Sequence, residues 1–133
     1  MTPSPQKPTA SELEILRVLW ARGPSTVRDV HEALSANKSL GYTTVLKLLQ
    51  IMTAKGLVVR DEASRAHVYR AAISQDAMQS KLLKDLSMRL FSGSAAQLAL
   101  HALAMAPASQ NELDEIRALI ERRRSPQSKK ERP

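Results

Sequence analysis

Apolar side chains recur at three- and four-residue steps from Leu13 onward. Leu13, Leu16, Leu19 and Trp20 share one side of a helix, with Glu14, Arg17 and Arg22 off it. Thr9 is followed three residues later by Glu12, the pattern in which a hydroxyl and a carboxylate satisfy each other's backbone donors at a helix start. Gly23-Pro24 ends the run, so a first helix is predicted over about residues 9–22. Ser25 is the expected cap of a second, shorter helix whose Val27, Val30 and Leu34 face inward, and Asn37 to Gly41 makes a turn. A third helix is predicted over about residues 42–55. On it Val45, Leu48, Leu49 and Met52 form one stripe, while Thr43, Lys47, Gln50 and Ile51 lie opposite. Leu46 is off the stripe and is expected to pack beneath the next element or against the first helix. Gly56 supplies the left-handed residue that closes the helix.

The period then changes. Leu57-Val58-Val59-Arg60 and His67-Val68-Tyr69-Arg70 are short runs rich in β-branched residues or Tyr, joined by the polar DEASRA, which predicts an antiparallel hairpin with Arg65 near its tip. Three helices with tight turns followed by a hairpin are a winged helix-turn-helix arrangement. Helical spacing resumes after Ser74, the expected cap of a helix over about residues 75–91. Phe91-Ser92-Gly93-Ser94 interrupts it, and residues 95–105 are nearly uncharged with high helix propensity. Pro107 breaks the chain, and Ser109 with Glu112 forms another capping pair ahead of a last helix ending near residue 123.

These last three helices carry more aliphatic side chains than one copy of so thin a structure can bury. Met78, Leu82, Leu86 and Leu90 recur on the fourth helix, Leu98 and Leu103 lie on the fifth, and Leu113, Ile116, Leu119 and Ile120 mark the sixth. Burial is worth roughly 25 cal/mol per Å² of apolar surface, so a partner is expected. A second copy joined across a two-fold axis is the simplest one; folding back over the first two helices within a monomer is the alternative. The expected fold is therefore mainly α with a small β-hairpin wing. A winged helix-turn-helix domain would span 9–73 and a C-terminal helical dimerisation domain 74–123, between a flexible lead-in at 1–8 and a disordered basic tail at 124–133.

Charge sharpens this division. The chain of 133 residues carries a net +7, but unevenly. Residues 1–73 hold ten Lys/Arg against six Asp/Glu, residues 74–121 four against six, and residues 122–133 six against one. A polyanion partner is thus expected for the first part and not for the middle. Aromatic residues are 3%, which leaves aliphatic side chains to fill the core. No cysteine is present, which removes disulfides, thiolate nucleophiles and Cys-based metal sites. His31, His67 and His101 lack the spacing that sets two imidazoles on one helix face, so neither metal nor cofactor is expected. With no apolar leader and no run approaching the ~20 residues needed to span a bilayer, no membrane insertion and a cytoplasmic location are expected.

The outer face of the third helix carries the functional expectation. No acid stands between Gly41 and Val59. Hydroxyls at a helix start can donate to phosphate beside free backbone N–H groups, Lys and Gln reach base edges, and an apolar side chain can pack on a thymine methyl. Tyr42, Thr43, Thr44, Lys47, Gln50 and Ile51 are therefore the candidate contacts to double-stranded DNA. Arg28, Lys55, Arg60 and Arg65, with Arg70, can reach the flanking backbone. A winged-helix module for protein–protein contact is the competing reading; it calls for an acid-bearing or broadly hydrophobic outer face, and neither is present. An enzyme lacks support, because there is no clustered His, no Gly-rich phosphate loop and no catalytic carboxylate pair.

The segments SELEILRVLW, YTTVLKLLQIMTAKGLVVRD and HVYRA, then FSGSAAQLALHAL and SQNELDEIRALIERR, are spread over about residues 9–123. In these the chain resembles the penicillinase repressor family (BlaI/MecI type, with the CopY copper repressors as cousins). The resemblance implies a winged-helix homodimer that represses transcription from an inverted-repeat operator controlling β-lactam resistance or related stress genes. In the β-lactam branch it also implies a membrane sensor protease that triggers cleavage in the C-terminal segment. It matches Thr43, Thr44 and Lys47 to the family's base- and phosphate-contacting stretch and Arg65 to the wing arginine. Ile51 stands where many relatives carry Arg, which leaves the operator sequence open. His101-Ala102 stand where the staphylococcal members are cut between Asn and Phe, which leaves proteolytic induction open. The absence of cysteine removes copper sensing through a C-terminal cysteine cluster.

Overall fold

In the computed structural model, residues 7–36, 40–63 and 65–125 are described. The first helix starts where its capping pair stands. Thr9 Oγ1 accepts the Glu12 N–H at 3.2 Å, and the Glu12 carboxylate accepts the Thr9 N–H at 2.9 Å. This opens α1 (Ala10–Arg22). Ser25 does not cap the second helix: it is buried and belongs, with Thr26, to a short strand, β1 (Ser25–Thr26). Thr26 is the cap of α2 (Val27–Ser35), in a reciprocal pair with Asp29. Of two adjacent hydroxyls, the one with a carboxylate three residues ahead holds the helix start.

The third helix, α3 (Tyr42–Lys55), has the predicted bounds and closes on Gly56 at φ 81, a conformation with no steric cost only for glycine. Of the turn predicted over Asn37 to Gly41, residues 37–39 lie outside the described residues. The hairpin follows as β2 (Val58–Asp61) and β3 (Val68–Ala71), each one residue later than the apolar runs suggest. Val58 pairs with Ala71 and Asp61 with Val68 in antiparallel register. β3 is central, because β1 pairs with its other edge, Ser25 opposite Tyr69 and Thr26 opposite Val68. The wing is thereby tied to the helical part at the root of α2.

Ile15, Leu16, Leu19, Val30, Val45, Leu49, Met52, Leu57 and Tyr69 form the core beneath these elements. Ile15 is fully buried, whereas Leu13 and Trp20, expected on the stripe, are half-buried at its edge. Trp20 sits there because its indole N–H donates to the Ile73 carbonyl at 2.9 Å, bridging α1 to the chain that leaves the hairpin.

That chain enters α4 (Gln75–Leu90), where Ser74 Oγ accepts the Ala77 N–H at 3.1 Å. The structure corrects the expected role of Met78. Met78 is 1% exposed within the winged core and Leu82 is half-buried against it, so these two side chains are used inside the chain. Accordingly the chain divides into two compact units within α4, Met1–Asp85 and Leu86–Pro133, later than the expected boundary after residue 73.

In the second unit α4 ends as the Phe91 and Gly93 N–H groups both meet the Ser87 carbonyl, at 3.0 and 2.8 Å. Ser94 caps α5 (Ala95–Met105), and Ser109 with Glu112 forms the capping pair of α6 (Gln110–Arg124). Arg122, Arg123 and Arg124, the start of the basic terminal run, are the last turn of α6, where cations complement the helix dipole. Residues 126–133 and most of the lead-in lie outside the described residues. No residue of α5 or α6 is buried.

Candidate nucleic-acid interface

α3 presents its polar side to solvent. Thr43, Thr44, Lys47 and Gln50 are exposed, Ile51 is 41% exposed and Tyr42 49%. Its start differs from those of α1, α2 and α6. Each of those is closed by a hydroxyl and a carboxylate, whereas Gly41 provides α3 with no side-chain cap and its first turn holds no acid. The first-turn N–H groups, with the positive end of the helix dipole, are left for an external acceptor.

Tyr42 is oriented from α2. Its ring meets the His31 ring edge-on, with centroids 5.9 Å apart and planes at 74°. Beside it, Thr26, Val27 and Arg28 of the α2 start, Tyr42 and Leu46 of α3, and Arg65, Ala66, His67 and Tyr69 of the wing line a groove of about 520 Å³. Arg28, Tyr42 and Arg65, three of the predicted contacts, are thus gathered on one concave surface. Leu46 lines it too, which places this side chain beneath the wing. Thr26 and His67 were not anticipated, and periodicity holds no signal for them, because the hairpin register brings His67 to the α2 start.

The remaining basic residues separate. Lys55 is withdrawn from the expected set: its ammonium lies 2.6 Å from Glu12 Oε1, with 18% of the Lys55 side chain and 2% of the Glu12 side chain exposed. It ties the end of α3 to the start of α1. Arg60 is exposed on β2 and bound to Glu62, through Nε at 2.8 Å. Hydrogen bonding to Glu62 and then to Tyr69 holds its pKa above the ordinary guanidinium value, so its charge is secure. Arg70 lines a different hollow, with Trp20, Gly23 and Pro24. Among the described residues, no helix is long and apolar enough to cross a membrane.

Three helices, a hairpin anchored by a third strand and an open outer face on α3 define a winged helix-turn-helix protein. The family model for the penicillinase repressor matches residues 8–122. The chain belongs to the penicillinase repressor family. The transcriptional regulator BlaI of Mycobacterium tuberculosis is 43% identical over 75 residues, which are 56% of this chain and 54% of that protein. The chain thus spans about half the length of this curated relative. The methicillin resistance regulatory protein MecI of Staphylococcus aureus is 18% identical over 115 residues, 86% of this chain and 94% of MecI. Among solved structures, the monomeric form of Bacillus licheniformis BlaI in complex with the blaP half-operator has 22% identity and a TM-score of 0.49, over 55% of this chain and 89% of that one.

Proposed function

We propose that the chain is a sequence-specific DNA-binding repressor of transcription that acts as a homodimer on an inverted-repeat operator. The observation that carries this reading is α3, whose outward face has no acid and whose start has no side-chain cap. Thr43 and Thr44 meet phosphate at the uncapped start, Lys47 and Gln50 reach base edges in the major groove, and Ile51 packs on a groove wall or thymine methyl. Arg28 and Arg65 grip the flanking backbone from either side of the wing groove. The family's regulators BlaI and MecI support repression of resistance genes as the biological setting.

Dimerisation is supported by the second unit. Leu90 is 69% exposed, Leu100 61%, and Leu119 and Ile120 48% each, more contiguous apolar sequence than a monomer leaves wet. Leu86, Leu103 and Leu113 are exposed as well and Leu98 and Ile116 half-buried, whereas Met78 and Leu82 pack on the winged core. Induction by a membrane sensor protease cutting at His101-Ala102 would require α5 to open locally, because both residues lie inside that helix.

Sedimentation equilibrium of the full chain, alone and with duplex, tests the assembly. The expected result is a dimer in both states, with Leu119→Asp/Ile120→Asp monomeric and weakened on an inverted repeat more than on a half-site. Affinity should also fall about a thousandfold between 50 and 200 mM salt if some six phosphates are contacted. A wild-type monomer on DNA, or salt-independent binding, contradicts the reading.

A further inference from the structure

The acid-free stretch that carries α3 ends abruptly on the wing, at Asp61 and Glu62. The two acids have different tasks. Asp61 Oδ1 accepts the Ala63 N–H at 2.9 Å, which fixes the start of the wing loop as Asp commonly does at turns. Glu62 instead engages Arg60, and its Oε2 receives both Nε at 2.8 Å and Nη2 at 2.5 Å. Across the hairpin Arg60 stands opposite the buried Tyr69. One edge of the guanidinium, Nε and Nη2, is therefore engaged by a carboxylate of the same strand end.

A carboxylate and a phosphate use the same donors of a guanidinium. We propose that Glu62 is a specificity-determining residue of the DNA interface, an internal competitor that occupies Arg60 until a correctly seated duplex displaces it. This rests on the DNA-binding reading above. The Arg60–Glu62 pair is exposed, with 34% and 56% of the two side chains accessible, so it contributes little to stability and exchanges easily. Once displaced, however, the Glu62 carboxylate remains at the same strand end and repels the phosphate that has replaced it. On random sequence the wing is held loosely, and the phosphate gained at Arg60 is offset by that repulsion. On the operator, base contacts from α3 fix the wing against the backbone and the exchange goes through. Glu62 thus weakens random binding more than specific binding.

The test is a fluorescence anisotropy titration of the full chain on two duplexes, a random-sequence one and one selected by the protein, across a salt series. Glu62→Gln is expected to bind the random duplex about three- to fivefold more tightly, to gain less on the selected one, and to steepen the salt dependence by roughly one counterion. Arg60→Gln/Glu62→Gln should lose this gain, and Glu115→Gln, an equal charge change on α6, should not produce it. An unchanged salt slope, or equal gains on both duplexes, overturns the proposal. Weaker binding to both would show instead that Glu62 only positions Arg60. A wild-type chain that does not distinguish the two duplexes fails the DNA-binding reading itself, whatever Glu62→Gln does.

Discussion

Lys47→Ala is expected to lower affinity for the operator by about ten- to a hundredfold, the range for loss of one side chain that reads a base edge. Lys47 is exposed in the second turn of α3, on the face that also holds Thr43, Gln50 and Ile51. Alanine keeps the helix, being its best former, so the urea midpoint should stay unchanged. Affinity for random DNA should fall far less. Arg124→Ala, in the last turn of α6, is the comparison: it removes one positive charge from the basic end of the second unit. Its effect is expected to be small and equal on both kinds of duplex. The opposite ranking would show that the basic terminus, and not α3, supplies recognition.

The second large effect is on stability. Glu12→Gln should destabilise the winged unit by about 3 kcal/mol, because removal of one partner leaves the other charge buried and unpaired. Glu12 is 2% exposed, receives Lys55 at 2.6 Å and also caps α1 through Thr9. Burial pushes its carboxyl up, but hydrogen bonds from Lys55 and the Thr9 N–H, with the attraction of the ammonium, outweigh it and leave the group below its ordinary value of 4.5. A carboxyl depressed on folding contributes stability that is present above the unfolded value and lost as pH falls through the folded one. The gap between wild type and Glu12→Gln in urea denaturation should therefore be full at pH 7 and shrink below about pH 4.5. Lys55→Met should cost a similar amount, and the double variant less than the sum, since the two residues share one interaction. Additive losses would show that the pair is not coupled.

Lys55 also shows where sequence reasoning reaches its limit. A lysine at the end of an amphipathic helix looks like any solvated or backbone-contacting cation. That it is claimed by Glu12, 43 residues earlier, follows only from how α1 crosses α3. Met78, and in part Leu82, are claimed by the winged core for the same reason. Their four-residue spacing continues unbroken into Leu86 and Leu90, and periodicity cannot tell on which turn a helix leaves one core. By contrast, α3 was legible to the residue, because glycines bracket it and its apolar stripe is unambiguous. The capping pairs of α1 and α6 were legible because they are local chemistry. The α2 start lies at Thr26 and not at Ser25, and the local chemistry agrees, since Asp29 stands three residues after Thr26. β1 escaped notice because two residues carry no alternation; only its pairing with β3 makes it a strand. Of the candidate interface, the α3 face was visible in sequence, while the wing groove with His67 was not, since it depends on hairpin register.

The most direct measurement is selection of duplexes by the full-length chain from a pool of random sequence. The expected result is enrichment of an inverted repeat whose half-site centres lie about one helical turn, 34 to 36 Å, or a multiple of it apart, with the enrichment abolished by Lys47→Ala. A pool that stays random, or converges on one unrepeated site, would contradict it.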